Sequence, residues 1–74
     1  MNNNIGKMLK QMRELNNLTQ KELAEKVGKK RSYISRIESE EGNNIQFKTL
    51  KDVVEKGFGK KLKIEFVSNE NINK

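Results

Sequence analysis

The sequence predicts an all-α fold, and three observations lead to this prediction. Apolar residues recur every three to four positions over residues 5–15 and again over residues 47–58, the spacing of amphipathic helices. Between these stretches, Thr19 and Glu22 have the spacing of a helix-opening capping box. The chain also contains no Pro. Its 74 residues allow one small domain, which buries only about 60% of its unfolded surface, so a partner or a dimer would help to stabilise it.

The first helix is predicted to run from Ile5 to about Leu15. Apolar residues at positions 5, 8, 9, 12 and 15 share one face of a 3.6-residue period, and this face is expected to be buried. Asn16 and Asn17 follow and end the pattern.

The second helix is predicted to run from about Gln20 to Val27. In its capping box the Thr19 hydroxyl accepts one free N–H of the first turn, and the Glu22 side chain reaches back to another. Gly28 stands where a helix commonly ends in a left-handed residue.

A third helix is predicted directly after Gly28, because Ile34 and Ile37 resume the helical spacing. Ala24, on the inner side of the second helix, allows the third helix to cross closely and steeply. With Leu23, Val27, Ile34 and Ile37 expected to be buried, the outward residues become Lys30, Arg31, Ser32, Tyr33, Ser35 and Arg36. The sequence therefore predicts two helices joined by a tight turn.

The outward face of this third helix is basic. Residues 29–36 carry four positive charges and no negative one. Basic side chains at a helix N-terminus oppose the helix dipole, so a phosphate partner explains them better than helix stability does. The net charge of +6 is by itself equally compatible with a Lys-rich soluble surface; the clustering is what favours nucleic acid.

This stretch resembles the phage-repressor-like (Cro/Xre-type) helix-turn-helix regulators, over roughly residues 5–58. The matching positions are Thr19-Gln20, Leu23-Ala24, Val27-Gly28, Ile34-Ser35 and Ile37-Glu38. The resemblance implies a lambda-repressor-like domain of four to five short helices, whose third helix, about Lys30 to Glu38, enters the major groove of double-stranded DNA. It also implies dimers on two half-sites and places Arg13 beside Glu38 as a structural pair.

The resemblance divides the expected DNA contacts into two groups. Base edges are assigned to Arg31, Ser32 and Arg36, since Arg suits the paired acceptors of guanine. Phosphates are assigned to Gln20, Lys21, Lys29, Lys30, Tyr33 and Ser35. The role of Tyr33 stays open at this point, because its ring can contact a phosphate or a thymine methyl, or only cover the side of the domain.

An acidic run and a last helix follow. Carboxylates at positions 38, 40 and 41 lack the alternating spacing of a calcium loop, which favours a solvated helix exit over a metal site. The last helix is predicted from Phe47 to Phe58 and is expected to cover the core. Gly57 and Gly59 are expected to break the helical pattern.

Residues 60–67 change to a period of two, which predicts a β-strand with Leu62, Ile64 and Phe66 on one side. A lone strand needs a neighbour, and nothing else in the chain has a strand pattern, so a second copy is expected to pair with it in an antiparallel homodimer. Irregular packing on its own domain is the alternative. The predicted organisation is a helix-turn-helix DNA-binding domain over 1–59, a dimerisation strand over 60–67 and a disordered C-terminus over 68–74.

The terminal strand is similar to that of antitoxins of the HigA and HipB kind, which repress their own operon and bind a toxin. The additional Gly in VVEKGFGKK departs from that pattern, so DNA binding is better supported than toxin binding. The predicted function is a repressor or autorepressor of transcription, with the antitoxin of a type II module as a further interpretation. A protein-interaction module with weak or no DNA binding is the alternative.

Several classes of protein are not expected. The chain has neither Cys nor His, which argues against an enzyme, a disulfide framework and most zinc sites, and no cofactor is predicted. No apolar run approaches the roughly 20 residues that span a bilayer, so a cytoplasmic location is expected.

Overall fold

The computed structural model describes residues 4–68, and these residues form four α-helices joined by short turns. The helices are α1 (Ile5–Leu15), α2 (Gln20–Val27), α3 (Arg31–Ile37) and α4 (Phe47–Asp52). A 3₁₀ helix, Glu40–Asn44, lies between α3 and α4, and α4 continues as a π-helical turn over Val53–Gly57. The predicted all-α class is confirmed for this part of the chain.

The start of α1 is held by two asparagines. Oδ1 of Asn4 accepts a hydrogen bond from the N–H of Lys7, and Oδ1 of Asn43 accepts one from the N–H of Ile5, both at 3.0 Å. These N–H groups belong to the first turn and have no acceptor within the helix. Because Asn43 lies in the 3₁₀ helix after α3, the beginning of α1 is tied to a segment 38 residues further along the chain.

Both ends of α2 are fixed as predicted. Oγ1 of Thr19 accepts from the N–H of Glu22 at 3.0 Å, and Oε1 of Glu22 accepts from the N–H of Thr19 at 2.8 Å. Gly28 ends the helix with a φ of 70°. The N–H of Lys29 then donates to the carbonyl of Ala24 at 2.9 Å. This is the bond of a Schellman motif that spans five residues. The turn between α2 and α3 is therefore only three residues long.

The core lies where the four helices meet. Its buried apolar side chains are Leu9, Leu23, Ala24, Ile34, Ile37, Val53 and Phe58. The predicted inward faces of α2 and α3 are confirmed by Leu23, Ile34 and Ile37, whereas Val27 is only half-buried.

The buried face of α1 differs from the prediction. Met8 and Leu15, which the apolar spacing assigned to the core, are 61% and 75% exposed. Leu9 is buried as predicted, and the other buried positions of α1 are Gly6 and Arg13. The buried face of α1 is turned toward Gly6 and Arg13 because the helix packs against the 3₁₀ helix and the end of α3. The local apolar pattern reveals neither of these contacts.

Two glycines allow this close packing. A Cβ atom on Gly6 would clash with the backbone carbonyl of Ser39, and one on Gly42 would clash with the carbonyl of Ile37. Both obstacles are main-chain atoms, which cannot rotate away as a side chain can. The two backbones therefore approach more closely than any residue larger than Gly permits.

The last helix also differs from the prediction at both ends. Phe47 begins α4 at the edge of the domain and is 55% exposed, although the pattern assigned it to the core. Gly57 does not break the helix but is buried in the π-helical turn, where a Cβ would lie 2.5 Å from Cδ1 of Leu23. The helix ends at Gly59, whose φ is 66°, with a hydrogen bond of 3.2 Å from the N–H of Lys60 to the carbonyl of Val54.

Residues 60–68, the C-terminal segment, contain no helix or strand within the described chain. Leu62 is half-buried, whereas Ile64 and Phe66 are 59% and 100% exposed. The strand over residues 60–67 is expected to form only when it pairs with a second copy. The structure of a single chain does not test this expectation, so the strand stays a prediction. Of the predicted disordered C-terminus, residues 69–74 lie outside the described residues. None of the helices within residues 4–68 has the length and apolar character needed to cross a membrane.

Candidate nucleic-acid interface

Helix α3 has one buried and one solvent-facing side. Ile34 and Ile37 are 0% and 4% exposed and anchor the helix in the core. The opposite side is formed by exposed residues: Arg31, Ser32, Ser35 and Arg36. Lys30 and Glu38 are the N-cap and the C-cap, so the predicted bounds of this helix are confirmed. The structure brings the three predicted base-contacting residues together on one exposed face.

Tyr33 lies at the edge of that face, and its ring is close to two basic side chains. Nζ of Lys29 lies 5.2 Å from the centroid of its ring, and the guanidinium carbon of Arg36 lies 5.4 Å from it. Cations within about 6 Å of an aromatic ring are attracted to its π face. The ring is half-buried and packs against the core. Tyr33 therefore covers the side of the domain and also orients two cations.

Arg36 has an acidic neighbour that the sequence reasoning missed. Its Nε lies 3.6 Å from Oε1 of Glu41, and the two side chains are 59% and 67% exposed. Ser39 helps to place Glu41, because Oγ of Ser39 accepts from the N–H of Glu41 at 3.2 Å. An exposed pair of this kind contributes only about 0–1 kcal/mol. A stronger acceptor can therefore displace Glu41 from Arg36 at little cost.

A hydrogen-bond network centred on Glu38 lies behind the exposed face. Nε and Nη2 of Arg13 donate to the Glu38 carboxylate at 2.5 and 3.1 Å, and Nη1 donates to the carbonyl of Leu18 at 2.8 Å. The two charged side chains are only 10% and 4% exposed. Hydrogen bonding to Glu38 raises the pKa of Arg13 above its ordinary value, despite the opposing effect of burial. The predicted Arg13–Glu38 pair is confirmed, and it joins α1 to the end of α3.

Gln20 belongs to the same network. Its Nε2 donates to Oε1 of Glu38 at 3.0 Å, which fixes the side chain at the beginning of α2. The backbone N–H groups of Gln20 and Lys21 lie in the first turn of this helix and have no acceptor within it. A ligand at this end of α2 can therefore use main-chain donors and the second amide hydrogen of Gln20.

The residues predicted to contact phosphate lie around α3 rather than on one side of it. Lys29 and Lys30 precede α3 and are exposed, as is Ser35 on its solvent face. Lys21 is exposed at the start of α2, beside the half-buried Gln20. The basic face of α3 is thus flanked by the turn on one side and by the start of α2 on the other.

This arrangement of two helices, a three-residue turn and an exposed basic second helix is that of a helix-turn-helix unit. The family model described as Helix-turn-helix matches residues 9–56. The chain belongs to the Cro/Xre-type helix-turn-helix family. The matched residues include α2, α3 and both members of the Arg13–Glu38 pair. Searches of the curated proteins and of the solved structures each found no significant match. As a member of this family the protein is a DNA-binding helix-turn-helix regulator.

Proposed function

We propose that the protein is a sequence-specific repressor that binds double-stranded DNA as a homodimer, with α3 in the major groove. The observation that carries this proposal is the exposed basic surface formed by Lys29, Lys30, Arg31 and Arg36. This surface lies at the start and on the exposed side of a helix whose other side is anchored by two buried isoleucines. The major groove of B-DNA is about 12 Å wide and admits one α-helix, so a rigidly held basic helix fits it.

Base reading is assigned to Arg31, Ser32 and Arg36. An Arg side chain can donate two hydrogen bonds to O6 and N7 of guanine, and Ser can bond to several base edges. Tyr33 supports this role for Arg36, because its ring restricts the guanidinium without burying it. A side chain that is already restricted loses less conformational entropy on binding.

Phosphate binding is assigned to residues before and on α3 and at the start of α2: Gln20, Lys21, Lys29, Lys30, Tyr33 and Ser35. The start of α2 supplies N–H donors and the favourable end of a helix dipole, both of which suit an anion. Glu38 supports the assignment of Gln20, because it holds the amide at the beginning of α2. Contacts of this kind set the register of the protein on DNA but read no sequence.

Binding titrations on two duplexes test this division of roles. One duplex is selected from a random library by the native protein, and the other has the same composition in scrambled order. Arg36→Ala should weaken binding to the selected duplex by about 1–3 kcal/mol and change binding to the scrambled one much less. Lys30→Ala should weaken both duplexes alike and lower the slope of affinity against salt by about one.

Lys56→Ala is the matched control. Lys56 is exposed, carries the same charge as Lys30, and lies beside Asn16 and Gly59 rather than on α3, so its removal should change neither affinity. Equal losses on both duplexes for Arg36→Ala would contradict base reading. Native protein that shows no salt-dependent DNA binding would contradict the proposed function and favour the protein-interaction alternative.

The proposed homodimer uses the C-terminal segment, with Leu62, Ile64 and Phe66 as the paired strand residues. The exposure of Ile64 and Phe66 supports it, since an apolar stripe of this kind gains from being covered. An antitoxin role rests on the resemblance to the HigA and HipB kind alone. Suppression of the toxicity of a protein encoded by the adjacent reading frame is the experiment that tests it.

A further inference from the structure

An apolar groove lies between α1 and α4, away from the solvent face of α3. Its volume is about 220 Å³, and its walls include Met8, Met12, Leu50, Val54, Phe58 and Leu62. An apolar cavity of about 150 Å³ is large enough to bind benzene. The groove therefore has room for one aromatic ring.

The C-terminal segment carries an aromatic ring that nothing in the described chain covers. Phe66 is 100% exposed, and Ile64, on the same side of a period-two pattern, is 59% exposed. Lys63 and Glu65 form an ion pair within the chain, with Nζ and Oε2 3.3 Å apart. These two charges therefore lie on a common side of the segment, as alternate residues of a strand do.

Pairing of two such segments in antiparallel fashion has one favoured register. Residues directly opposite each other share a face, so apolar residues meet apolar residues only when the two-fold axis passes through a residue. An axis at Ile64 places Leu62 opposite Phe66 of the second copy and Lys63 opposite Glu65 of the second copy. An axis at residue 63 would place Lys63 opposite Lys63 of the second copy. An axis at residue 65 would place Glu65 opposite Glu65 of the second copy. Like charges directly opposite each other are destabilising, so the axis at Ile64 is preferred.

We propose that Phe66 of a second copy fills the apolar groove, with the two C-terminal segments paired about Ile64. Leu62 lines the groove, and side chains directly opposite in an antiparallel pair have Cβ atoms about 4.5–5.5 Å apart. Phe66 of the second copy therefore arrives at the groove of the first, and the two-fold axis fills both grooves at once. This inference rests on the proposed homodimer and gives it a register and a binding site.

Single cysteines test the register, because the native chain contains none. The variants are Lys63→Cys, Ile64→Cys and Glu65→Cys in the full-length protein, oxidised under identical conditions. Opposite residues lie within the Cα separation that a disulfide spans, whereas diagonal neighbours about 7–8 Å apart do not. Ile64→Cys should form disulfide-linked dimers at least about tenfold faster than the other two variants. Faster linkage at position 63 or 65 would overturn the register.

Tryptophan fluorescence tests the groove, because the native chain has no Trp. Phe66→Trp should shift its emission to shorter wavelength as protein concentration rises through the dimerisation range. Val67→Trp is the matched control, since residue 67 lies on the other face of the strand and should keep a solvent-exposed emission. A shift at position 66 that does not depend on concentration would mean that the segment occupies its own groove. A shift only after another protein is added would mean a different partner, and either result overturns the proposal.

Charge reversal supplies an independent readout by sedimentation or light scattering. Lys63→Glu should raise the dimer dissociation constant roughly tenfold or more, because it places Glu opposite Glu twice in each dimer. Adding Glu65→Lys should restore the native constant to within about threefold. A monomer at all concentrations, or no rescue by the double variant, would overturn the inference. Neither change touches α3, so salt-dependent binding to a single half-site reports separately on the proposed function.

Discussion

Replacement of Glu38 by Gln is the most informative test of how α3 is held. The native carboxylate accepts three hydrogen bonds, two from Arg13 and one from Gln20. Gln has the same length but no charge. Its NH₂ group replaces one carboxylate oxygen and cannot accept a hydrogen bond from Arg13 or Gln20. The Arg13 guanidinium, with a side chain only 10% exposed, is then left without a hydrogen-bonded counter-ion.

The expected loss in free energy of unfolding is about 3 kcal/mol. Removal of one partner from a buried ion pair costs about 3–5 kcal/mol, and the lower end applies because Gln keeps one acceptor and Arg13 keeps its bond to the carbonyl of Leu18. A chain of 74 residues has a total stability of roughly 4–11 kcal/mol. For a domain of this size the loss corresponds to a decrease in Tm of about 12–24 °C.

Urea denaturation followed by circular dichroism measures this loss. Glu41→Gln is the matched control, because it removes the carboxylate of the exposed pair with Arg36 and should cost less than about 0.5 kcal/mol. The pKa of Arg13 is raised. The contribution of its charge to the free energy of unfolding is therefore lost only as the pH rises above the ordinary pKa of an Arg side chain. The deficit of Glu38→Gln should therefore be the same at about pH 6 and about pH 9. A loss below about 1 kcal/mol would refute the reasoning that the pair is a shielded link between α1 and α3.

Two further predictions concern glycine and capping residues, and both are measured by urea denaturation. Gly6→Ala should cost about 2–3 kcal/mol, because its Cβ clashes with the backbone of Ser39. Gly28→Ala should cost only about 1 kcal/mol, because its left-handed φ is the only obstacle and no atom lies within 4 Å of the new Cβ. Equal losses for Gly6→Ala and Gly28→Ala would show that α1 and the 3₁₀ helix can separate. Thr19→Ala should cost about 1 kcal/mol by removing the capping acceptor of Glu22, whereas Thr19→Ser should cost a few tenths at most. A similar cost for both Thr19 variants would mean that the methyl group, not the hydroxyl, stabilises α2.

The helices that could be predicted from the sequence are those whose ends depend on neighbouring residues. The capping box at Thr19 and the left-handed Gly28 act within one turn of the helix that they bound, so the spacing alone located α2. The position of α3 followed from Ile34 and Ile37 in the same way. For these elements local preference and tertiary packing agree, which is why the predicted bounds are close to the observed ones.

Most of the features that the apolar pattern missed depend on residues distant in sequence. Gly57 continues the last helix because its neighbour is Leu23 of α2, a contact that periodicity does not contain. The face of α1 is rotated toward Arg13, whose burial requires Glu38, 25 residues later; the family resemblance supplied that pair, and the apolar pattern did not. The pair of Arg36 and Glu41 is the exception, because these residues are close in sequence and the 3₁₀ helix that contains Glu41 places its carboxylate.

The hydrogen bond from the N–H of Ile5 to Asn43 is one of the contacts that hold the domain together without using the exposed side of α3. This bond, the Glu38 network and the buried isoleucines all lie off the exposed side of α3. Arg31, Ser32 and Arg36 can therefore be exchanged for other side chains while every buried contact described above is retained. Replacing residues 31–44 by a segment that lacks Asn43 would instead remove one of the two side-chain acceptors at the start of α1. Under the proposed function, new operator preferences are thus accessible through a few surface substitutions, whereas exchange of a longer segment must keep Asn43.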